Sequence, residues 1–262
     1  LACWEIDWNA NGRVDDRDRL LLQIEQDESG EPIPEDDPRR KPTFRFDDGD
    51  QTGFLAQCLA GLRKVTAGSI MINSQDMTAA SLQARIEAGL AYIPEERMRD
   101  GAIRDFSVEE NVFLHEHDAP EFTNGIFLNL PKMAAHAQNL VNQYSVKTPD
   151  LKTPIKNLSG GNIQKLILAR ELSRKPKILI AAQPTRGVDI GATEYIHKRL
   201  LEQRELGTAI LLISEDLDEI RTLSDRIAVI YEGQIIGVVE RGEATVEQIG
   251  MMMAGIAREK TA

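Results

Sequence analysis

The sequence is short of cysteine, of long apolar runs and of positive charge. Its two cysteines among 262 residues, Cys3 and Cys58, lie far apart and form no metal or redox spacing. This usage is typical of proteins in a reducing compartment such as the cytoplasm. No apolar run reaches the roughly 18 residues that span a bilayer, and the first residues do not resemble a signal peptide. We therefore expect a cytoplasmic protein with no membrane span of its own.

The shortage of positive charge bears on the choice of partner. Lys and Arg number 31 against 42 Asp and Glu, a net charge of −11, and a nucleic-acid-binding face would need the opposite balance. The stretch 27–42, DESGEPIPEDDPRRKP, is charged and rich in proline, which predicts a loop or disordered linker. No metal site is predicted from the histidines, which lack a ligand spacing: His115, His117, His136 and His197.

After the linker, helical and strand patterns alternate along the chain. The predicted helices cover 54–62, 79–88, 107–115, 131–145, 158–174, 190–205 and 217–223. The predicted strands cover 68–72, 90–93, 177–182, 208–214, 226–231 and 234–239, the last two joined as a hairpin at Gly233. This alternation predicts an α/β fold with a mostly parallel sheet and helices on both faces.

The stretch Asn157 to Lys165 reads NLSGGNIQK. Ser159, Gly160 and Gly161 at a helix start would expose backbone N–H groups, with the positive end of the helix dipole behind them. Such a helix start binds anions such as phosphate. Ser-Gly-Gly is also a common turn and helix N-cap, and the spacing alone does not separate these two interpretations.

The surrounding segments favour the anion site, because LSGGNIQK resembles the signature motif of ABC-type ATPases, in the variant seen in importers of simple sugars and nucleosides. Downstream, 178–192 (ILIAAQPTRGVDIGA) is similar to the Walker B strand and D-loop of that family. Segments 208–220 and 225–237 are similar to its switch-loop strand and closing hairpin, and 88–114 to its Q-loop region.

The resemblance covers about residues 47–256 and looks most like the second, C-terminal ATPase domain of a tandem subunit. It implies a P-loop NTPase-type ABC domain at 46–257 with a helical subdomain near 100–155. Residues 1–45 are then an acidic N-terminal region and linker that is atypical of the family, and residues 258–262 are a tail. The chain would be a fragment of a tandem subunit or the product of a split gene.

The P-loop position departs from the family pattern GxxxxGK[ST]. The matching stretch is 46–54, FDDGDQTGF, which keeps Gly49 but has Thr52 at the lysine position and Gly53 at the Ser/Thr position. Three carboxylates would repel a nucleotide there: Asp47, Asp48 and Asp50. The stretch is therefore a vestigial P-loop position, and an acidic turn before a helix is preferred here to a nucleotide-binding loop.

The other catalytic positions depart as well. Ala182 stands where the family has the Mg²⁺-supporting Asp, and Gln183 stands where it has the general-base Glu. Glu215 occupies the position of the switch His, and Glu95 or Glu96 occupies the Q-loop position. A Gln can hold a water molecule but cannot take its proton, so we expect hydrolysis at the chain's own site to be lost.

The resemblance also implies a function in trans. ABC ATPases pair head to tail, with each ATP between the P-loop of one domain and the signature motif of the other. The residues expected to contact a partner's ATP and Mg²⁺ are Leu158, Ser159, Gly160, Gly161, Asn162, Gln164 and Asp189.

The implied partners are a second ATPase domain with an intact P-loop, permeases docking around Glu95–Gly101 and, indirectly, a solute-binding protein. The chain would then lie at the inner face of the membrane and drive import of nucleosides or simple sugars. A non-catalytic nucleotide-sensing or scaffold protein is the alternative.

The N-terminal region contains a calcium-loop spacing similar to that of dockerin-like modules. Its ligand positions would be Asp7, Asn9, Asn11, Asp15 and Asp18. Gly12 stands at the turn position, and the apolar stretch 20–24 follows as a predicted helix. The alternative is an acidic strand-and-turn region without calcium.

Overall fold

A computed structural model describes residues 20–23, 51–65, 68–72, 75–116, 119–124, 127–232 and 234–256. The chain divides into two compact units, residues 1–90 with 209–262, and residues 91–208. The strands are β1 Leu20–Gln23, β2 Ser69–Ile72, β3 Gln75–Asp76, β4 Leu90–Ile93, β5 Thr123–Asn124, β6 Phe127–Leu128, β7 Ile178–Ala182, β8 Ala209–Ile213, β9 Arg226–Tyr231 and β10 Gln234–Glu240. The α-helices are α1 Gln51–Ala60, α2 Leu82–Glu87, α3 Val108–Val112, α4 Leu130–Gln143, α5 Gly160–Ser173, α6 Ile190–Glu205, α7 Leu217–Leu223 and α8 Val246–Met253. A π-helical turn, Arg97–Gly101, and a 3₁₀ turn, Ile155–Asn157, complete the described elements.

The first unit contains an antiparallel sheet with the strand order β1-β2-β3, in which Leu20 of β1 pairs with Ile72 of β2. The predicted helix over 20–24 is therefore wrong. A short apolar run does not distinguish helix from strand by itself, and here pairing with β2 decides the conformation. A strand agrees with the alternative of a strand-and-turn region. The calcium-loop positions at 7–18 lie outside the described residues.

The predicted closing hairpin is confirmed, because β9 and β10 pair in an antiparallel arrangement. Arg226 is opposite Glu240 at one end of the hairpin and Tyr231 is opposite Gln234 at the other, with one irregularity between Ile235 and Gly237. Helix α8 packs on this hairpin. The buried residues of this cluster are Ile227, Val229, Val239, Ile249 and Met252.

Helix α1 of the first unit is fixed at its C-terminal end by a buried guanidinium. Arg85, only 1% exposed, donates to the carbonyl oxygens of Cys58 and Leu59, both at 2.6 Å. It also donates to the carbonyl oxygens of Met77 at 2.7 Å and Thr78 at 3.2 Å. The last carbonyls of a helix lack intrahelical donors, and Arg85 supplies hydrogen-bond donors to two of them at the end of α1.

The second unit is built around α5. Ten of its residues are buried: Gly161, Ile163, Gln164, Leu166, Ile167, Leu168, Ala169, Arg170, Glu171 and Leu172. A helix buried on nearly all sides belongs to the interior of its unit, and α5 contacts α3, α4, α6 and the π-helical turn. Strands β4 and β7 are neighbours in a parallel sheet, and every residue of β7 is buried. The predicted α/β class is confirmed.

A buried charged network holds the C-terminal half of α5. Glu171, 1% exposed, accepts from Arg170 Nε at 2.8 Å and Arg174 Nη2 at 3.0 Å, and its Oε1 lies 3.3 Å from His115 Nε2. The backbone N–H of Tyr92 in β4 donates to the same carboxylate at 3.5 Å. Burial alone would raise the pKa of Glu171, but the neighbouring Arg170 and His115 outweigh it and hold the pKa well below its usual range. The charged carboxylate therefore joins α5 to β4 and to His115.

Among the described residues, no helix combines the length and the apolar character needed to cross a membrane.

We predict that Glu171→Gln lowers the free energy of unfolding by about 3–5 kcal/mol at neutral pH, because it leaves the buried Arg170 without its counterion. Since the folded-state pKa of Glu171 is depressed, its contribution is present above about pH 4.5 and is lost as the pH falls toward about 2. Denaturant unfolding at several pH values tests both statements. The matched control is Glu194→Gln, at an exposed position of α6, for which we expect a change within about 0.5 kcal/mol. Equal acid dependence of the wild type and Glu171→Gln would contradict the prediction.

Candidate functional site

The signature stretch begins α5 with a capped and exposed N-terminus. Ser159 is the exposed N-cap, and its Oγ accepts from the backbone N–H of Asn162 at 3.4 Å and from Asn162 Nδ2 at 2.9 Å. Asn162 Oδ1 accepts from the backbone N–H of Lys147 at 2.8 Å. Gly160 and Gly161 occupy the first helical positions, whose N–H groups have no acceptor within the helix. The arrangement presents a hydroxyl and two backbone donors at one helix end.

Helix α6 starts immediately beside this helix end. Asp189 is its N-cap and accepts from the N–H of Ala192 at 2.9 Å. A β-carbon at Gly161 would lie 3.0 Å from Cβ of Ala192 and 3.4 Å from Oδ2 of Asp189. Gly161 therefore allows the first turns of α5 and α6 to approach closely, and the structure places Asp189 beside Gly161. Leu158, half-buried, directly precedes Ser159.

Gln164 is set apart from the other predicted residues. Its side chain is only 2% exposed and lies among the buried residues of α5. Gln164 therefore differs from Ser159, which is exposed, and from Asn162, which is partly exposed.

The end of β7 carries two neutral residues, at the position that the sequence predicts to match Walker B. Ala182 is 1% exposed and ends the strand, and Gln183 is 8% exposed with a left-handed φ of 46°. The carbonyl of Gln183 accepts from the N–H of Arg186 at 3.1 Å, which closes the turn. A methyl group offers no ligand to Mg²⁺, which prefers carboxylate oxygens, and an amide cannot act as a general base. These side chains do not fit a hydrolytic Mg²⁺ site.

Two further predicted positions lie in the first unit. Thr52 and Gly53 are in the first turn of α1, while Gly49 lies outside the described residues. Glu215 is exposed between β8 and α7. The next residue, Asp216, caps α7 by accepting from its first N–H groups at 2.9 and 3.2 Å. The carboxylate of Glu215 thus lies in the short connection that follows β8.

The Q-loop region makes contacts that the sequence did not reveal. Glu95 forms an ion pair with Arg186, and Glu96 Oε1 lies 3.9 Å from the same guanidinium. Arg97 donates from Nη1 to the carbonyl of Arg186 at 2.6 Å and from Nη2 to the carbonyl of Gly187 at 2.9 Å. The sequence shows only a charged run here, and backbone acceptors leave no residue-type signal by which these contacts could be found.

The histidines that the structure describes include two with structural contacts. His115 Nε2 lies 3.3 Å from Glu171, and His136 packs against the rings of Phe113 and Phe122, which also contact each other. Within the described part of the chain, no group of three or more His, Cys, Asp or Glu is placed to hold a metal ion.

Curated relatives match most of this chain but less than half of their own length. The guanosine import ATP-binding protein NupO of Bacillus subtilis (strain 168) is 42% identical over 213 residues, covering 81% of this chain and 42% of that protein. The nucleoside import ATP-binding protein NupA of Lactococcus lactis subsp. cremoris (strain MG1363) is 42% identical over 208 residues, covering 79% and 41%. The ribose import ATP-binding protein RbsA of Clostridium tetani (strain Massachusetts / E88) is 40% identical over 196 residues, covering 74% and 38%. The chain thus spans about two fifths of the length of these relatives.

Solved structures share the fold. A dimeric ATP-binding cassette in a post-hydrolysis state, bound to ADP and Pi, is similar with a TM-score of 0.59 at 20% identity, covering 71% of this chain and 79% of that chain. A nucleotide-free ATP-binding cassette from an ABC transporter has a TM-score of 0.60 at 20% identity, covering 82% and 85%. At this level of identity the likeness concerns the fold alone.

The family model for ABC transporters matches residues 53–186, half of the chain. The matched range begins in the first turn of α1, includes the signature residues at the start of α5 and ends in the turn after β7. The chain therefore belongs to the ABC transporter family of ATP-binding domains.

Proposed function

We propose that this chain is the second, C-terminal ATP-binding domain of an ABC importer for nucleosides or simple sugars, and that it supplies its signature motif to an ATP held by a partner domain. The relatives named for guanosine, nucleoside and ribose import support the class of solute. Because the chain spans only about two fifths of those relatives, a second ATPase domain is expected to accompany it.

The observation that carries this proposal is the start of α5, where Ser159 is exposed, Gly160 is partly exposed and Gly161 is buried. Ser159 offers its hydroxyl, and Gly160 and Gly161 offer backbone N–H groups at the positive end of a 14-residue helix. Such donors favour a phosphate by about 0.3–2 kcal/mol before any side-chain cation is added. Asn162 holds the serine side chain through Nδ2 at 2.9 Å. The donor set fits the γ-phosphate of ATP, whereas the lysine and the carboxylates that bind the rest of Mg·ATP would come from the partner.

The residues at the chain's own P-loop, Walker B and switch positions support the proposal that the two domains have different roles. Thr52 is too short to replace a lysine that reaches phosphate oxygens, and Ala182 cannot steady Mg²⁺. Gln183 cannot take a proton from water, and Glu215 adds a negative charge at the switch position. Each lost catalytic interaction typically lowers the rate by orders of magnitude. We infer that ATP hydrolysis by the assembled transporter occurs at the site whose P-loop is the partner's.

The remaining assignments follow from the same proposal. Permease subunits would dock around Glu95–Gly101, where three residues of the EERMRDG run are exposed: Glu96, Arg99 and Asp100. The chain would then lie at the cytoplasmic face of the membrane, with a solute-binding protein acting through the permease. The ABC domain is proposed at 46–257, with the helical subdomain near 100–155.

We predict that the purified chain alone, at saturating Mg·ATP, releases phosphate at the background rate. The reason is that the positions of the lysine, the Mg²⁺-supporting Asp and the general base hold Thr52, Ala182 and Gln183. Steady-state phosphate release measures this directly. Activity well above background that disappears in Gln183→Ala would show that the chain's own site is catalytic.

We predict that Ser159→Arg abolishes ATP hydrolysis by the transporter reconstituted with the partner ATPase domain and the permeases. The guanidinium would fill the space that the γ-phosphate must enter and would keep the two ATPase domains apart. Because Ser159 is an exposed N-cap, the free energy of unfolding should fall by only about 0.5–2 kcal/mol.

The matched control is Ser81→Arg. Ser81 is an exposed N-cap serine of α2 that accepts from the N–H of Ala84 at 3.2 Å. It therefore loses the same kind of cap and gains the same bulk away from the signature stretch, and hydrolysis should persist. Normal hydrolysis by folded Ser159→Arg would refute the proposal and favour a scaffold or nucleotide-sensing role.

A further inference from the structure

Arg97 makes contacts of a different kind from its neighbours in the EERMRDG run. Arg99, two residues along, pairs with Asp100 of its own turn at 2.7 and 2.8 Å. Arg97 instead reaches about ninety residues along the chain to the carbonyl oxygens of Arg186 and Gly187. A planar guanidinium can donate to two oxygens at once in a fixed geometry, so one side chain fixes two consecutive peptide groups.

The turn that Arg97 holds lies between the end of β7 and the start of α6. Gly187 in that turn has a left-handed φ of 65°, and a β-carbon there would come within 3.3 Å of Arg97 Nη2. The ion pair between Glu95 and Arg186 joins the same two segments through side chains. Three interactions therefore tie the turn to residues 95–97.

The same guanidinium also touches the start of α5. A β-carbon at Gly160 would lie 2.9 Å from Arg97 Nη2 and 3.2 Å from the carbonyl oxygen of Gly187. Arg97, the turn and the first residue of the signature helix are thus in mutual contact. Asp189, two residues after Gly187, caps α6 beside Gly161. The contact of Arg97 therefore lies between the first residue of the signature helix and the turn that leads to Asp189.

We propose that Arg97 is a positioning residue for the ATP site that the chain completes in trans. Arg97 donates to the carbonyl oxygens of Arg186 and Gly187 and lies against Gly160. It thereby holds the turn between β7 and α6 and the start of α5 in the relative position needed to contact the partner's ATP. The inference rests on the proposed function. It assigns to this side chain a role in closing the site, with no contact to the nucleotide.

The expected kinetic effect of losing Arg97 is a change in kcat rather than in KM for ATP. The partner's P-loop supplies most of the ATP affinity under the proposed function, so loss of Arg97 should leave KM for ATP within about twofold. The closed arrangement needed for hydrolysis would be populated less often, so kcat should fall by about tenfold.

The experiment compares Arg97→Ala, Arg97→Lys and Arg104→Ala in the reconstituted transporter, with ATP hydrolysis and thermal melts measured for each. Lysine keeps the charge, but a compact ammonium does not reproduce the planar two-carbonyl bridge, so kcat should lie between those of the wild type and Arg97→Ala. Arg104 is an exposed arginine beyond the docking loop and serves as the control, with kcat and KM as in the wild type.

The outcomes separate the two proposals. A fall in kcat at constant KM, graded from Lys to Ala in variants that melt like the wild type, supports the role of Arg97. If Arg97→Ala behaves like Arg104→Ala while Ser159→Arg still abolishes hydrolysis, the inference about Arg97 is wrong and the proposed function stands. A loss of activity that is equal in both Arg97 variants and follows their loss of folded protein also overturns the inference. Persistent hydrolysis in folded Ser159→Arg would instead remove the proposed function itself.

Discussion

The buried pair of Arg170 and Glu171 is the constraint on which the second unit depends. Arg170 is 4% exposed and donates to the carbonyl oxygen of Gly101 at 2.9 Å as well as to Glu171. Removing one partner of a buried pair leaves an uncompensated charge, so the two residues act as one unit. They fix α5 near its C-terminal end. Ser159 and Asn162 fix the other end through a cap and a link to the backbone of Lys147. The N-terminal end of the helix is therefore held in place by contacts at both ends of α5.

The regular elements were largely predictable because their ends carry local signals. Strand β4 and helices α6 and α7 have the bounds predicted from the sequence, and Asp189 and Asp216 cap the two helices as such residues do. Helix α8 was not predicted, although Thr245 and Gln248 form a capping box at its start. The strand β1 could not be distinguished from a helix, because its conformation depends on pairing with β2, about fifty residues away.

Some features of the candidate site could also be predicted from the sequence, and others could not. The residue types of the signature stretch and of the end of β7 are visible in the sequence, and the structure brings Asp189 beside Gly161. The contacts of Arg97 were not predictable, because its acceptors are peptide carbonyls that every residue possesses. The π-helical turn that Arg97 begins also depends on tertiary packing. A β-carbon at Gly101 would come within 2.9 Å of Ile167 and 3.0 Å of Pro94, so that turn is shaped by its neighbours.

The tight packing at Gly160 and Gly161 has an evolutionary consequence. An added β-carbon would crowd neighbours within the same chain at both glycines, Arg97 and the carbonyl of Gly187 at Gly160 and Ala192 at Gly161. Packing alone therefore favours both glycines, even in a domain that had stopped binding nucleotide. Ser159 is different, because Asp would cap the helix equally well but would repel a phosphate. Under the proposed function, drift from Ser to Asp at this one position would mark the loss of ATP binding, whereas the packing at the two glycines is independent of nucleotide.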